Sequence, residues 1–510
     1  MFWLDRIFGQ IETELKDKIA SGKTLLVRDE KTASGRVHVG SMRALVLHAA
    51  IAERLAEAGV PAVFKFEIND FDPMDGLPVY LDKAVYEKEM GKPLYTIPSP
   101  DGKAKNYAEY FGQEYVEAIH EAGFAPELYR ASELYLGGKM NDAIRMALDK
   151  ADVVRGIYKE VSGADRPADW YPLSVICENC GKVGTTKVSA WDGKQVTYNC
   201  YPTAVTWAVG CGHTGSVSPF DGRAKLPWKV EWAAKWFVLG VDIEGGGKDH
   251  YSKGGARDVA RRVSTEVFNY PEPFGVPNEF FLVGGKKMAS SKGQGASAKS
   301  IVELVPPKIF RLALFGKDIN QQINFDPEGD TIPVLYDQYD KLLEHHQSGV
   351  ADDYTRLFEY LHPARKVPAI KNPPRFSEVA FTVQMPHMDL AKEFPDADKA
   401  ELAERAAYAK KWLAQYAPEK FVFKLQDSLP EAARALTPEQ KSVLQELLRY
   451  IVVAGAMPSG EELQAKLHEL KAFKAVYLAF LGKDHGPKAG WFISVLDKEF
   501  VVKRLKEASA

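Results

Sequence analysis

The sequence predicts an α/β protein: a doubly wound parallel sheet, interrupted by an insertion and followed by an all-α region. Three observations carry this. From Thr24 onward, short apolar runs of strand length alternate with longer stretches of helical periodicity, the pattern of βαβ units. Glycine-bearing turns follow the strand runs. Beyond about residue 300 helical periodicity continues almost alone to the end. With 510 residues, 45% of them hydrophobic and 26% charged, the chain has the balance of a soluble protein with ordinary cores, and two or more domains are expected.

Residues 1–23 come first. Leu4, Ile7, Phe8, Ile11, Leu15 and Ile19 recur at helical spacing, which predicts an amphipathic helix docked on the body of the protein. Asp5, Glu12 and Glu14 stand where a secretory peptide would be basic and then apolar, and no run approaches the ~20 apolar residues of a membrane helix. A cytoplasmic protein is expected. The net charge of −3 and pI near 6.5 exclude binding to nucleic acid by bulk charge, so a polyanionic partner must be met by local patches.

The sheet domain is assigned to residues 24–295. LLVRDE (25–30) reads as a buried strand, TASGRVHVGS as a turn, and ALVLHAAIAERLAEAG as a helix ended by Gly59. VPAVFKFEIND (60–70) is a second strand, with Glu67, Asp70 and Asp72 at or just beyond its carboxyl end. Ligands of doubly wound sheets bind outside the carboxyl ends of the strands, so the turn and these acids share one rim. Residues from about 95 to 225 are read as an insertion. After it come a Trp-rich helix, LPWKVEWAAKWFVLG; a strand entering a glycine turn, VDIEGGGKDH; a helix, DVARRVSTEVF; a strand, EFFLV; and a loop, GGKKMASSKGQG. Residues 296–360 are taken as a connecting region and 361–510 as a helical domain.

Three motifs on the rim carry chemistry. His38-Val39-Gly40-Ser41 lies between a strand and a helix, where helix-start N–H groups can face a nucleotide phosphate. Gly40 lets a flat base approach the backbone, and His38 can donate to a phosphate oxygen. Gly245-Gly246-Gly247-Lys248-Asp249-His250 follows a strand and brings an acid that can accept from ribose hydroxyls. Lys286-Lys287-Met288-Ala289-Ser290-Ser291-Lys292-Gly293 can close over a triphosphate, stabilising charge as it moves onto leaving pyrophosphate.

In this order, each at a strand end, the three motifs resemble the class I aminoacyl-tRNA synthetases, with HVGS standing for the family's HIGH signature and KMASS for KMSKS. PMDGLP (73–78), LPWKVEWAAKW leading into GGGKDH, and GPKAGWFISVLDKEFVVKRL (486–505) resemble the class I lysyl-tRNA synthetases in particular. The resemblance implies a Rossmann-like catalytic domain and a helical anticodon-binding domain. It also implies an ATP-dependent ligase of protein biosynthesis that attaches lysine to tRNA(Lys) through lysyl-adenylate, using Mg2+ and no membrane or DNA partner. Carried over by position, Ser34, His38, Gly40, Ser41, Gly246, Asp249, Lys287 and Met288 bind ATP, and His38, Lys287 and Lys292 serve catalysis. Ser41 replaces the second His of HIGH. Ala289 and Ser290 fill the third and fourth KMSKS positions, so Lys292 takes the place of the second lysine. Two alternatives remain: a class I synthetase for another amino acid, and a non-catalytic paralogue that binds tRNA and nucleotide.

A lysine substrate brings an ammonium that needs a carboxylate and walls for its stem. Asp29 and Glu30 are favoured over Asp70 and Asp72, with Trp228 and His250 beside them; Trp228, Trp232 and Trp236 also fit a helix-face core stripe. All four cysteines fall between Cys177 and Cys211. The C-x-x-C-G of Cys177 and Cys180 has the form of a zinc knuckle, so a zinc-ribbon-like part is assigned to 170–225. Cys177, Cys180, Cys200 and Cys211 would hold a structural zinc, with His213 competing with Cys200 and a metal-free decayed ribbon as the alternative. In the tail, Lys498, Lys503, Arg504 and Lys506 form a local basic group, and Trp412, Phe473 and Trp491 are aromatic candidates for unstacked bases.

Overall fold

In the computed structural model β1 (Leu25–Thr32) and β2 (Ala62–Asn69) pair in parallel along their whole length, from Leu25 against Ala62 to Thr32 against Asn69. The crossover between them is the helix Met42–Glu57, whose buried face includes Leu45, Val46, Ala49, Ala50 and Leu55. A second crossover helix, Tyr107–Glu121, leads to β3 (Glu127–Arg130), which pairs in parallel with the other edge of β2. β3 corrects the sequence reading, which placed residues 95–225 wholly in the insertion. The strand has four residues, none of them fully buried, so it carries no apolar run to betray it. The description covers residues 1–286, 296–385, 389–486 and 488–510.

The insertion follows β3. Helices Ala131–Leu136, Asn141–Asp149 and Ala151–Ser162 precede β4 (Ser174–Val175) and an antiparallel meander of β5 (Thr186–Trp191), β6 (Val196–Cys200) and β7 (Thr214–Val217). β8 (Ala224–Lys225) then pairs back on β4 and closes the excursion.

The chain rejoins the sheet through the helix Trp228–Leu239. Ile243 bridges Val27 of β1 and, on its other side, Phe274, both in parallel; just beyond, β9 (Gly246–Gly247) pairs with β10 (Pro277–Asn278). The sheet therefore runs β3, β2, β1, the Ile243 line and the Phe274 line, all parallel, with the order reversing beside β1. The expected VDIEG strand is thus a bridge at the buried Ile243, with residues 242–244 hydrogen-bonded to both neighbouring lines, followed by a two-residue ladder. The helix predicted over 258–268 is an α-helix, Ala256–Arg262, continued by a π-helical turn, Val263–Val267.

The N-terminal helix, Trp3–Glu14, buries Leu4, Ile7, Phe8 and Ile11, and the Trp3 indole donates to the Phe315 carbonyl at 2.9 Å. Leu15 ends that helix, and Ile19 lies on a separate short one, Lys16–Ala20. β11 (Phe281–Val283) pairs in parallel with β12 (Ile323–Phe325), a strand inside the stretch read as helical. Three residues are too few to interrupt helical periodicity.

The chain divides into two compact units: Met1–Asp326 with Lys341–Val367, and Pro327–Asp340 with Pro368–Ala510. The second is helical. Capping boxes of Thr437 with Gln440 and Ser459 with Glu462 start two of its helices, Pro438–Val453 and Gly460–Leu470. Leu444, Leu447, Ile451, Leu463, Leu467, Phe480, Phe492 and Leu505 form its core. Trp412 is fully buried and its indole donates to the Pro327 carbonyl at 2.9 Å, so it is a core residue of this unit and no platform for a base. Among the described residues, no helix is long and apolar enough to cross a membrane.

Candidate active site

The carboxyl ends of the parallel strands enclose two adjoining cavities. The first, of about 330 Å³, is lined by Asp29, Glu30 and Lys31 of β1, by His38, Gly40 and Ser41, by Gly245 to Gly247 with Asp249, and by Asn278 to Phe281. The second, of about 520 Å³, is lined by Thr32, Ser34, Asn69, Asp72 and Asp75, by Ser174, Val183 and Gly184 of the insertion, and by Lys225 and Glu231. Glu30, Trp228 and His250 belong to both and form the partition.

The HVGS segment stands at a helix start, a geometry that suits an anion. Val39–Ser41 make a 3-10 turn that runs directly into the helix Met42–Glu57, so the helix starts at the cavity wall with its first N–H groups unpaired within the helix. The turn is pinned from the far side of the third motif: the Val39 N–H donates to the Ala296 carbonyl at 3.1 Å and the Ala298 N–H to that of Val37 at 2.8 Å. Lys287, Met288 and Lys292 themselves lie outside the described residues. Gly40 is enforced by close approach, since a Cβ there would come within 2.9 Å of His38 Nδ1 and 3.1 Å of the Phe281 carbonyl oxygen. Gly40→Ala is therefore expected to displace the His38 ring and raise the KM for ATP, with the KM for the amino acid far less affected. Steady-state kinetics in each substrate checks this. On the opposite wall the Gly245 N–H donates to Nε2 of the buried His48 at 2.7 Å, which fastens the glycine turn to the same helix.

Under the partition lies a buried ionic network that the sequence reading missed. Arg28, fully buried on β1, pairs with Glu244 at 2.6 Å, Glu67 at 2.8 Å and Glu30, and donates to the Tyr129 hydroxyl at 2.8 Å. Lys235, equally buried, meets Glu67 at 2.5 Å, Glu30 at 3.0 Å and Glu231 at 3.7 Å. Lys225 pairs with Glu231 and with Asp72 at 3.0 Å. Arg28, Lys235 and Lys225 thus meet five carboxylates, Glu30, Glu67, Asp72, Glu231 and Glu244, among the described residues. Burial opposes ionisation of Glu30, yet Lys235 and Arg28 hold its carboxyl well below the usual carboxylate range. One signal was available: Glu231 and Lys235 stand four apart on a helix whose Trp residues share that spacing, which marks charges facing inward rather than a solvated face.

The aromatic wall is ordered. Trp228 and Trp232 stack at 6.3 Å with 25° between planes, and His250 meets both edge-on at 5.7 and 5.8 Å. Trp228 is half exposed at the partition, whereas Trp232 and Trp236 donate to the Glu244 carboxylate at 3.0 and 2.7 Å and are core. Asp29 faces the first cavity with one oxygen 3.5 Å from His48 Nδ1. Asp70 is a correction. Its carboxylate accepts from the N–H and hydroxyl of Ser132 at 2.7 and 2.6 Å, fixing the start of the helix Ala131–Leu136, and it faces neither cavity. Ser34 lines the second cavity rather than the first, apart from the other ATP-binding candidates.

The four cysteines converge. Their sulfurs lie within 4.8 Å of one another, with Cys177 and Cys211 3.6 Å apart and Cys180 and Cys200 3.7 Å apart, and none forms a disulfide. Zn–S bonds of about 2.3 Å put neighbouring sulfurs of a tetrahedron about 3.8 Å apart, so the set fits zinc. Cys200, not His213, completes the group; His213 contributes its carbonyl to the Cys200 N–H.

Residues 1–364 match the family described as class I tRNA synthetases (K). Full-length relatives are similar. A lysine–tRNA ligase of Methanosarcina barkeri is 34% identical, with 96% of this chain and 95% of that protein aligned. Those of Archaeoglobus fulgidus and Methanocaldococcus jannaschii are each 32% identical, over 100% and 99% of both chains respectively. The chain belongs to the class I lysyl-tRNA synthetases, the family of lysine–tRNA ligases that the motifs of its sheet rim indicate.

Proposed function

We propose that this chain joins lysine to tRNA(Lys) where its two cavities meet. One observation carries the reading: a cavity suited to a nucleotide and a cavity with surplus carboxylates share Glu30, Trp228 and His250 as a common wall. ATP fits the first, with its phosphates toward His38, Gly40 and Ser41 and its ribose toward Gly246 and Asp249. Lysine fits the partition and the second cavity, its stem along Trp228 and His250 and its cation among Glu30, Asp72 and their neighbours. Asp29, across the first cavity, is the more remote acid.

The geometry supports two steps. An oxygen of the lysine carboxylate attacks the α-phosphorus, the bond to the bridging oxygen breaks, and pyrophosphate leaves. His38 donates to the phosphate oxygens as charge grows on them, and Lys287 with Lys292 receives the pyrophosphate. The terminal ribose hydroxyl of the tRNA then attacks the lysyl carbonyl, AMP leaves, and the hydroxyl proton is lost. Mg2+ accompanies the ATP phosphates and needs few protein ligands. Residues 361–510 serve as the anticodon-binding domain, and the enzyme works in the cytoplasm. The test is transfer of each labelled amino acid to unfractionated tRNA with ATP and Mg2+. Lysine alone is expected to be transferred; any other amino acid transferred in its place overturns the pocket.

Cys177, Cys180, Cys200 and Cys211 would hold Zn2+ as a structural ion. The knuckle abuts the second cavity, for the Val183 and Gly184 N–H groups donate to the Gly91 carbonyl at 2.7 and 3.1 Å. Metal analysis is expected to find about one zinc per chain, and Cys177→Ser to lower that content. A full complement in the variant counts against the ligand set.

A further inference from the structure

We infer that Asp75 is the carboxylate that selects lysine, receiving the ε-ammonium of the substrate in the second cavity. The inference rests on the two-cavity reading and deepens it, because Asp75 is none of the four acids that the sequence puts forward.

Charge pairing carries the argument. Among the described residues four carboxylates line the second cavity, Glu30, Asp72, Asp75 and Glu231, against one cation, Lys225. Glu30 already has Arg28 and Lys235. Asp72 accepts from the Thr32 hydroxyl at 2.6 Å and pairs with Lys225 at 3.0 Å. Glu231 accepts from the Tyr135 hydroxyl at 2.7 Å and pairs with Lys225. Asp75 is different. It is an exposed residue of the cavity wall; partial desolvation there and the neighbouring Asp72 carboxylate push its carboxyl up, and among the described residues no cation pairs with it. An arriving ammonium is the group that relieves both effects.

The backbone holds this acid in place. The Met74 N–H donates to the Lys92 carbonyl and the Met74 carbonyl accepts from the Gly91 N–H, each at 2.9 Å, while the Met74 side chain is buried. Gly91 in turn accepts from Val183 and Gly184, so the strap bearing Asp75 is fastened to the cysteine module. A fixed carboxylate without a cation discriminates by what it leaves unpaired. A lysine analogue lacking the ammonium, such as norleucine, gains nothing there, whereas lysine completes the pair.

The experiment uses the full-length enzyme with tRNA present and compares Asp75→Asn with Trp228→Ala. Asp75→Asn is expected to raise the KM for lysine about 10- to 100-fold, the scale of one charge-assisted hydrogen bond. The KM for ATP and inhibition by norleucine stay unchanged. An unchanged KM for lysine in Asp75→Asn, with a raised one in Trp228→Ala, overturns the role of Asp75 and leaves the two-cavity reading standing. No change in either variant overturns that reading itself. A loss in Asp75→Asn that falls equally on lysine and ATP also overturns the assignment, since it marks a general disturbance of the site.

Discussion

Alanine in place of His38 is expected to slow lysine activation about 100- to 1,000-fold, the usual effect of removing one donor aimed at charge that develops in a transition state. His38 lines the first cavity immediately before the 3-10 turn that starts the helix Met42–Glu57. Its ring is also the nearest group to the space above Gly40, so a phosphate seated on the helix start meets it. The interaction strengthens as negative charge leaves for pyrophosphate, so the loss should fall on turnover, with tRNA affinity unchanged. Pyrophosphate exchange measured with tRNA present, beside a tRNA-binding titration, separates the two. Equal loss of both in a folded variant counts against a catalytic role.

The second large effect concerns stability. Lys235→Met removes a fully buried cation and leaves Glu67, itself fully buried, with Arg28 as its one remaining cation among the described residues. Breaking a buried pair from one end costs about 3–5 kcal/mol, because the partner charge stays desolvated without compensation. Denaturant unfolding of the variant is expected to show a loss of that order, and the double variant Lys235→Met/Glu67→Gln to recover part of it. A loss near zero would mean that the network is hydrated and gives the partition no dry support.

What the sequence made legible follows from periodicity. β1, the HVGS turn, the helix behind it and β2 are long, regular and apolar on the expected faces, and they stand as read. β3 escaped because four half-exposed or exposed residues at a sheet edge carry no apolar pattern. Ile243 joins the sheet by bridges alone, which no strand periodicity reports. Of the four acids singled out, Glu30 and Asp72 line the second cavity and Asp29 the first. Asp70 shares their place at a strand end but spends both oxygens on Ser132, a partner 62 residues away that local sequence cannot reveal. Asp75 escaped for the converse reason. The role proposed for it rests on the cations that its neighbours have and that, among the described residues, it lacks, and pairing is a property of the folded chain.

Nucleotide and amino acid are expected to occupy separate cavities that meet at Glu30, Trp228 and His250. A crystal structure with a non-hydrolysable lysyl-adenylate analogue tests it most directly. The nucleoside is expected between His38 and Asp249, with the lysyl chain passing Trp228 into the second cavity. A lysyl chain lying wholly in the first cavity, away from Asp72 and Asp75, would contradict it.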